Sequence, residues 1–469
     1  MNETREFTQD SSTIAAISTP YGTGGIGIIR VSGQEAFKIA GQLFIGKKNF
    51  SDIKSHTVTH GRIVDPVTGQ MLDEVLLIKM KGPHTFTAED VVEISCHGGI
   101  VILKNILLQV LKQGARAAEP GEFTKRAFLN GRMDLAQAEA VIDLINSKTE
   151  EGSRAAAAQL EGKLSESIRK ARRRLIELIA HIEAVVDYPE HDIEELTGGR
   201  IQEGVRSVKG DLQRIAEGYE KGRLIREGIT AAIIGKPNAG KSSLLNALSG
   251  SSRAIVTDIP GTTRDIIEEY INVKGIPVRF LDTAGLRSTL DPVESIGVER
   301  AQKAALEAEL VIVVLDVQTG IAPEDLEILA LMKDKKKILL INKADLARDE
   351  AITEIERQLQ AEGNVPVVTA SMVNGTGMDE LLHEIEGLFL KGAIDLNNEV
   401  LVTNVRHREL LDRAIESLEL AEAAHKEGLP LDFVTIDIKE SAEHLGKITG
   451  ESVSEDVVKE IFARFCIGK

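Results

Sequence analysis

Tryptophan is absent from this chain of 469 residues, and aromatic residues are scarce, with 4 tyrosines and 12 phenylalanines. Its cores must therefore be built from Leu, Ile, Val and Ala, which suits helices and buried parallel strands. Cysteine is nearly absent as well: only Cys96 and Cys466 occur, far apart and in no C-x-x-C pattern. That count excludes a disulfide framework and a cysteine zinc site, and it favours a reducing compartment. No run approaches the roughly 18 apolar residues of a membrane span. The first residues, MNETREFTQDSS, hold no apolar signal core. A soluble, cytoplasmic protein with no membrane partner is expected. Positive charge is also in deficit, with a formal net charge of −17, so any nucleic-acid contact must use a local basic patch. Arg169-Lys-Ala-Arg-Arg-Arg174 is the best such patch, although a run of this kind is usually a solvated helix face.

The length exceeds what one hydrophobic core supports, so two to four domains are expected. Residues 1–127 mix short β-like runs (Ile14–Ser18, Ile26–Val31, Glu74–Lys79, Val91–Ser95) with a helix-like Ile100–Lys112, as in a small α+β domain. Residues 128–223 read as helical, with an apolar stripe through Leu135–Ile145 and a long amphipathic run, Leu164–Val186, that Pro189 and Gly198–Gly199 should break. Residues 224–391 alternate strand-like and helical runs, which implies a mostly parallel sheet with helices on both faces. The strand-like runs are Thr230–Ile234, Val278–Leu281, Leu310–Leu315, Ile338–Ile341 and Val365–Val368. Helical texture returns over 392–469, through Asn404–Glu427 and Leu431–Phe465. The expected fold class is multidomain α/β and α: a small α+β domain, then a helical domain with a Ras-like P-loop α/β domain inserted into it.

Gly235-Lys-Pro-Asn238-Ala239-Gly240-Lys241-Ser242 fits G-x-x-x-x-G-K-[ST], between a strand and a helix beginning near Ser243. Glycines let backbone N–H groups turn inward around phosphates. Lys241 would reach the β- and γ-phosphates, and the Ser242 hydroxyl would bind Mg²⁺. Asp282-Thr283-Ala284-Gly285 ends a strand; Asp282 can hold the magnesium hydration shell and the Gly285 amide can sense the γ-phosphate. Asn342-Lys343-Ala-Asp345 supplies base specificity, because the Asp345 carboxylate can accept both N1–H and the exocyclic amine of guanine. Ala370 and Ser371 would add a backbone N–H to the guanine carbonyl. Four motifs in order indicate GTP rather than ATP.

Leu286 stands where Ras-like proteins carry the glutamine that orients the attacking water, so another group must do so. Glu294 is the candidate, acting through a second water; the alternative is a solvated surface carboxylate. Asn238 and the switch run Thr257-Asp258-Ile259-Pro260-Gly261-Thr262-Thr263-Arg-Asp265 offer oxygen ligands suited to a monovalent cation beside the phosphates. Such a cation could supply the charge an arginine finger gives elsewhere. Thr263 is the expected switch-loop magnesium ligand, and Arg264 is a competing charge donor.

Together with these motifs, several further runs resemble the MnmE (TrmE) family of bacterial tRNA-modification GTPases. They are Ile17–Pro20 with Gly24–Gly33, Phe86–Gly99, Pro120–Asn130 with Asp134–Glu139, and the terminal Cys466-Ile-Gly-Lys469. The resemblance spans essentially the whole chain. It implies an N-terminal folate-binding and dimerisation domain, a homodimer, and K⁺-dependent GTP hydrolysis in which G domains close on one another. Positions matching the family's K⁺ ligands are Asn238, Thr257, Ile259 and Thr262; those matching its Mg²⁺ ligands are Ser242 and Thr263. The implied reaction installs an aminomethyl or carboxymethylaminomethyl group on C5 of the wobble uridine of certain tRNAs. It uses a 5-formyl- or 5,10-methylene-tetrahydrofolate and the FAD-dependent partner MnmG in a heterotetramer. Arg30, Glu93, Arg132 and Lys469 match the family's folate contacts. The rival reading is a ribosome-assembly or regulatory RNA-binding GTPase, which would be expected to append an RNA-binding domain such as KH.

Gly22-Thr-Gly-Gly-Ile-Gly27 satisfies G-x-G-x-x-G, but that fingerprint should open a helix, and here it runs into a β-like segment. A glycine-rich turn is the better reading. Arg30 and Glu93 each interrupt an apolar strand, which fits either a mutual salt bridge or a ligand site. Cys466 could be a small buried hydrophobe or a thiol near a ligand, and His97 is expected to be structural.

Overall fold

The computed structural model describes residues 11–187, 194–250, 254–256, 269–281, 303–360, 365–389 and 400–468. It begins with β1 (Ile14–Ile17), β2 (Ile26–Ser32), α1 (Ala36–Leu43), β3 (Phe44–Gly46), β4 (Thr57–Val64), β5 (Met71–Met80), β6 (Val91–His97), α2 (Ile100–Lys112) and β7 (Arg116–Ala117). The strands pair in the order β3-β4-β5-β6-β2-β1-β7, antiparallel except for β1 with β7. Ile29, Val31, Leu77, Val92 and Ile94 share a core with Ile39 and Leu43 of α1 and Leu103 and Ile106 of α2. Alternation along the strands sends Arg30 and Glu93 to the opposite face, and they stand directly across from each other in the β2–β6 register. The glycine-rich turn feeds strand β2, not a helix. Sequence reading missed α1, β3 and β4; β4 reads TVTHGRIV, whose inward positions include Thr59 and Gly61 while Val58 is exposed, so no apolar period shows.

α3 (Glu122–Leu129), α4 (Leu135–Asn146), α5 (Glu150–Leu160), α6 (Lys163–Asp187), α7 (Glu194–Glu217) and α8 (Tyr219–Glu227) follow. A capping box starts α4: the Asp134 side chain accepts from the Gln137 N–H, and the Gln137 side chain accepts from the Asp134 N–H. α7 runs through Gly198 and Gly199, so these residues do not break the helical run as expected. A helical glycine costs only about 1 kcal/mol relative to alanine, and burial of Ile201, Val205, Val208 and Leu212 outweighs it. Pro189 lies outside the described residues.

The second sheet comprises β8 (Ile229–Ile234), β9 (Ala254–Val256), β10 (Glu269–Val273), β11 (Ile276–Phe280), β12 (Leu310–Asp316), β13 (Lys336–Asn342) and β14 (Val367–Thr369), in the order β14-β13-β12-β8-β11-β10-β9. It is parallel from β14 through β11, while β10 and β9 continue it antiparallel. α9 (Lys241–Gly250) and α12 (Met378–Phe389) pack on one face; α10 (Pro323–Leu331) and α11 (Asp349–Gln360) pack on the other. The antiparallel edge was not foreseen, because β9 and β10 are short and flank a polar run.

α13 (Val405–Lys426), α14 (Leu431–Thr449) and α15 (Glu455–Ala463) complete the chain. Leu164, Ile168 and Leu175 of α6 and Leu212 of α7 share one core with Leu411 and Leu418 of α13 and Ile438 and Leu445 of α14. Helices from both sides of the α/β unit thus form one bundle. Leu431–Phe465 is not one helical stretch: Gly450 (φ +82°) ends α14. A Cβ there would lie 2.8 Å from Leu135 and from the Phe128 ring, so both the left-handed backbone and the close approach require glycine. No helix among the described residues is long and apolar enough to cross a membrane.

Candidate functional site

The phosphate loop leaves the buried strand β8 at Gly235 (φ +147°), where a Cβ would sit 2.3 Å from the Val314 carbonyl oxygen. Asn238 is exposed and takes the left-handed conformation (φ +64°), which asparagine tolerates better than most residues. At Gly240 (φ +102°) a Cβ would come within 2.0 Å of Asn342 Nδ2. Lys241 opens α9, whose first-turn N–H groups form an anion-binding end. Its Nζ donates to the carbonyls of Gly235 (2.8 Å) and Lys236 (2.6 Å), and burial pushes its pKa down.

The run Asn342–Asp345 is bonded directly to this loop. Asn342, at the end of β13 and 2% exposed, donates from Nδ2 to the Ala239 carbonyl at 2.8 Å and accepts from the Met372 N–H at 3.4 Å. Lys343 (φ +65°) reaches Asp316 Oδ2 at 2.6 Å. Ser371 Oγ donates to Asp345 Oδ1 at 2.5 Å, and the Ala370 N–H bonds the Ile341 carbonyl at 2.8 Å. The ends of β8, β13 and β14 therefore converge on one edge of the parallel sheet, where ligands of open α/β sheets bind. One end offers backbone N–H groups and a lysine for phosphates. The other offers a carboxylate for guanine.

A second constellation lies on the first sheet. Arg30 Nε and Nη2 each lie 2.8 Å from Glu93 Oε1. The Arg30 guanidinium stands over the rings of Phe86 (5.5 Å) and Phe123 (5.6 Å), and Arg132 stands over the Phe86 ring at 5.0 Å while donating to the Phe86 carbonyl at 3.1 Å. The last described residue closes this group: Gly468 O accepts from Ser18 Oγ (3.1 Å) and Arg30 Nη1 (3.4 Å). A Cβ at Gly468 (φ +92°) would lie 2.4 Å from the Ile17 carbonyl oxygen.

Family models cover nearly all of this architecture: one described as GTP-binding protein TrmE N-terminus matches residues 13–132, and one described as MnmE helical domain matches residues 135–466. The tRNA modification GTPase MnmE of Acetivibrio thermocellus is 60% identical over 457 residues, covering 97% of this chain and 99% of the relative. Those of Alkaliphilus oremlandii and Alkaliphilus metalliredigens are 49% and 47% identical over 459 residues, with the same coverage. The chain belongs to the MnmE family of tRNA modification GTPases. Membership makes the chain a GTP hydrolase in tRNA modification.

Among the expected nucleotide residues of this MnmE-family chain, Asn238 to Ser243, Asn342, Lys343, Asp345, Ala370 and Ser371 come together as described. Thr257 to Arg264, Asp282 to Leu286, Glu294 and Lys469 lie outside the described residues. Arg30, Glu93 and Arg132 meet around Phe86, and the Arg30–Glu93 salt bridge is formed. Cys466 is exposed, and its carbonyl accepts from the Gly121 N–H at 3.2 Å. Cys96 is buried, and burial first, then the Asp73 charge, push its thiol up to about 11. His97 bonds Asp73 at 2.7 Å through Nδ1.

Three of the five basic residues in the run on α6 are paired, while Lys170 and Arg173 are exposed. Arg169 pairs with Asp134, Arg172 with Glu451 and Arg174 with Asp211, at 2.5–2.7 Å. Sequence reasoning missed Phe86, Ser18 and Asp316, none of which belongs to a short motif with its partner.

Proposed function

We propose that GTP hydrolysis in this chain is activated by K⁺ and by closure of two G domains across their nucleotides in a homodimer. In this reading it drives modification at C5 of the wobble uridine (position 34) of certain tRNAs to the aminomethyl or carboxymethylaminomethyl form. The carrying observation is the meeting of the chain's two ends. Gly468 sits on Arg30 and Ser18 beside Phe86, which gives the GTPase a second ligand-type site on a different sheet.

Lys241 holds the β- and γ-phosphates, and Asp345 with Ser371 selects guanine. Ser242 and Thr263 would hold Mg²⁺; Asn238, Thr257, Ile259 and Thr262 would hold K⁺. Oxygen donors of this kind suit hard cations, and the exposed amide of Asn238 fits that role. Bound there, the cations supply positive charge against the charge that develops on the transferring phosphoryl group. Asp282 would hold the magnesium hydration shell, the Gly285 amide would sense the γ-phosphate, and Glu294 would orient the attacking water through a second water.

At the other site Glu93 suits a 2-amino-pteridine edge and is held by Arg30, with Arg132 and Lys469 adding positive charge for a carboxylate-bearing folate tail. The partly exposed Phe86 ring fits a flat heterocycle, while the buried Phe123 ring backs Arg30 from below. The donor is a 5-formyl- or 5,10-methylene-tetrahydrofolate, and the FAD-dependent MnmG completes a heterotetramer in the cytoplasm. The corresponding units are residues 1–127, 128–223 with 392–469, and 224–391.

Nucleoside analysis of tRNA from a strain lacking this protein tests the reaction; unmodified wobble uridines are expected, and normal ones refute it. Hydrolysis measured in KCl and in NaCl tests the activation. Stimulation by K⁺ that vanishes in Asn238→Ala supports it, and a rate indifferent to the cation overturns it.

A further inference from the structure

We infer that Asp325 is a positioning residue for GTP hydrolysis, acting through Lys236 on the first half of the phosphate loop. Asp325 belongs to none of the nucleotide motifs. It sits in the first turn of α10, 2% exposed, and its Oδ2 accepts both the Ala322 N–H (3.0 Å) and the Lys236 ammonium (3.0 Å). Capping the turn at Ala322 requires only an oxygen acceptor, which asparagine or serine supplies equally well. A full negative charge at a buried position is costly unless a cation meets it. Lys236, the second residue of the loop, meets it.

The consequence reaches the reacting groups through the backbone. The Lys236 carbonyl accepts from Lys241 Nζ (2.6 Å) and from the Ala239 N–H (3.3 Å), with Asn238 between them in the left-handed conformation. Gly235 is pressed against Val314, and Ala239 is bonded to Asn342. The Asp325–Lys236 pair adds a third point of attachment, and it comes from the opposite sheet face to α9. Three anchors, on β12, β13 and α10, thereby set where the Asn238 amide and the Lys241 ammonium stand. Misplacing such groups by about 1 Å lowers rates by roughly a hundredfold.

The inference deepens the K⁺-dependent reading proposed above and partly rests on it. Its test compares full-length Asp325→Asn, Lys236→Met, the double variant and Lys236→Arg. For each, kcat for GTP, the K⁺ concentration giving half-maximal rate, and the melting temperature are measured. Asparagine keeps the acceptor for Ala322, so Asp325→Asn removes the charge and not the cap. Asp325→Asn and Lys236→Met should each lower kcat roughly tenfold and raise the half-maximal K⁺ concentration several-fold. The double variant should be no worse than either single one, and Lys236→Arg should recover most of the rate. A wild-type K⁺ curve in Asp325→Asn overturns the inference, as does additivity of the two changes. So does a lost rate that follows the melting temperature while the K⁺ half-point stays fixed. If the unaltered protein shows no K⁺ dependence, the activation reading fails. Non-additive losses of kcat in the same variants still support the role of Asp325, so the two failures remain distinct.

Discussion

Glu139→Gln removes one negative charge from the joint between α4 and α13, and its surroundings set the size of the loss. Glu139 is 6% exposed. Its Oε1 accepts from Asn404 Nδ2 (3.1 Å) and Arg406 Nε (3.0 Å), while Oε2 accepts from Arg406 Nη2 (2.6 Å) and lies 2.7 Å from His407 Nε2. Burial alone would raise the carboxyl pKa. The charges of His407 and Arg406 and their hydrogen bonds more than reverse that, holding it at about 2 against an ordinary 4.5. A carboxylate depressed in the folded state contributes its full stability above the unfolded value and loses it as pH falls from about 4.5 toward about 2. The difference corresponds to about 3 kcal/mol. Glutamine also turns an N–H₂ toward donors, so the expected loss at pH 7 is roughly 3–5 kcal/mol. Several units unfold in this chain, so a single global melting curve is a poor gauge. Hydrogen exchange of α4 and α13 amides reads the affected bundle directly. The gap between parent and variant should be full at pH 7 and about half as large near pH 3. Equal protection in both proteins at pH 7, or a gap that does not narrow on acidification, would refute the reasoning.

Gly468→Ala places a Cβ 2.4 Å from the Ile17 carbonyl oxygen and should push the tail off Arg30. Tetrahydrofolate binding should then weaken at least about tenfold by calorimetry, and unchanged affinity counts against a role for the tail. In the native protein at pH 7.5, iodoacetamide should label exposed Cys466 and spare buried Cys96, whose thiol burial pushes up to about 11. Mass spectrometry showing equal labelling would contradict that burial. Asp345→Asn replaces a charged acceptor with an amide, so GTP affinity should fall by roughly ten- to a hundredfold. Xanthosine triphosphate, which presents a carbonyl in place of the guanine amine, should bind better than to the parent; equal loss of both nucleotides would sink the assignment.

The described part of the candidate nucleotide site was legible because its chemistry is local in sequence. A loop of eight residues carries its own glycines, lysine and serine, and Asn342 and Asp345 lie on one strand end. α4 and α6 were readable from apolar stripes. What stayed hidden depends on distant partners. Arg169 and Arg172 read as a basic patch until Asp134 and Glu451, 35 and 279 residues away respectively, neutralise them. Arg30 and Glu93 left both a pair and a ligand site open, with the pair favoured on the residues alone, and the register of β2 against β6 forms the pair. No local pattern tells that a glycine 438 residues away covers it. Gly198 and Gly199 misled for the converse reason: bundle packing holds α7 where intrinsic propensity would end it.

The same dependence on distant partners explains how the α/β unit is rooted. Glu139 and Asp143 lie one turn apart on α4. Asp143 accepts from Arg226 Nε at 2.8 Å, two residues before Gly228 and β8, so it holds the segment that leads into the unit. Glu139 holds Asn404, Arg406 and His407, the first turn after the unit returns to the bundle. Gly228 (φ +76°) sits so close to Pro277 that a Cβ would lie 1.8 Å from its carbonyl oxygen, which fixes the crossing point tightly. The buried face of α4 also meets α15 through Leu135, Ala138 and Phe462, and α15 leads to the tail on Arg30. Both described flanks of the α/β unit are therefore bonded to carboxylates on one helix. That helix is packed on the element that carries the tail, so Glu139→Gln loosens a joint shared by the return of the unit and the segment leading to the tail.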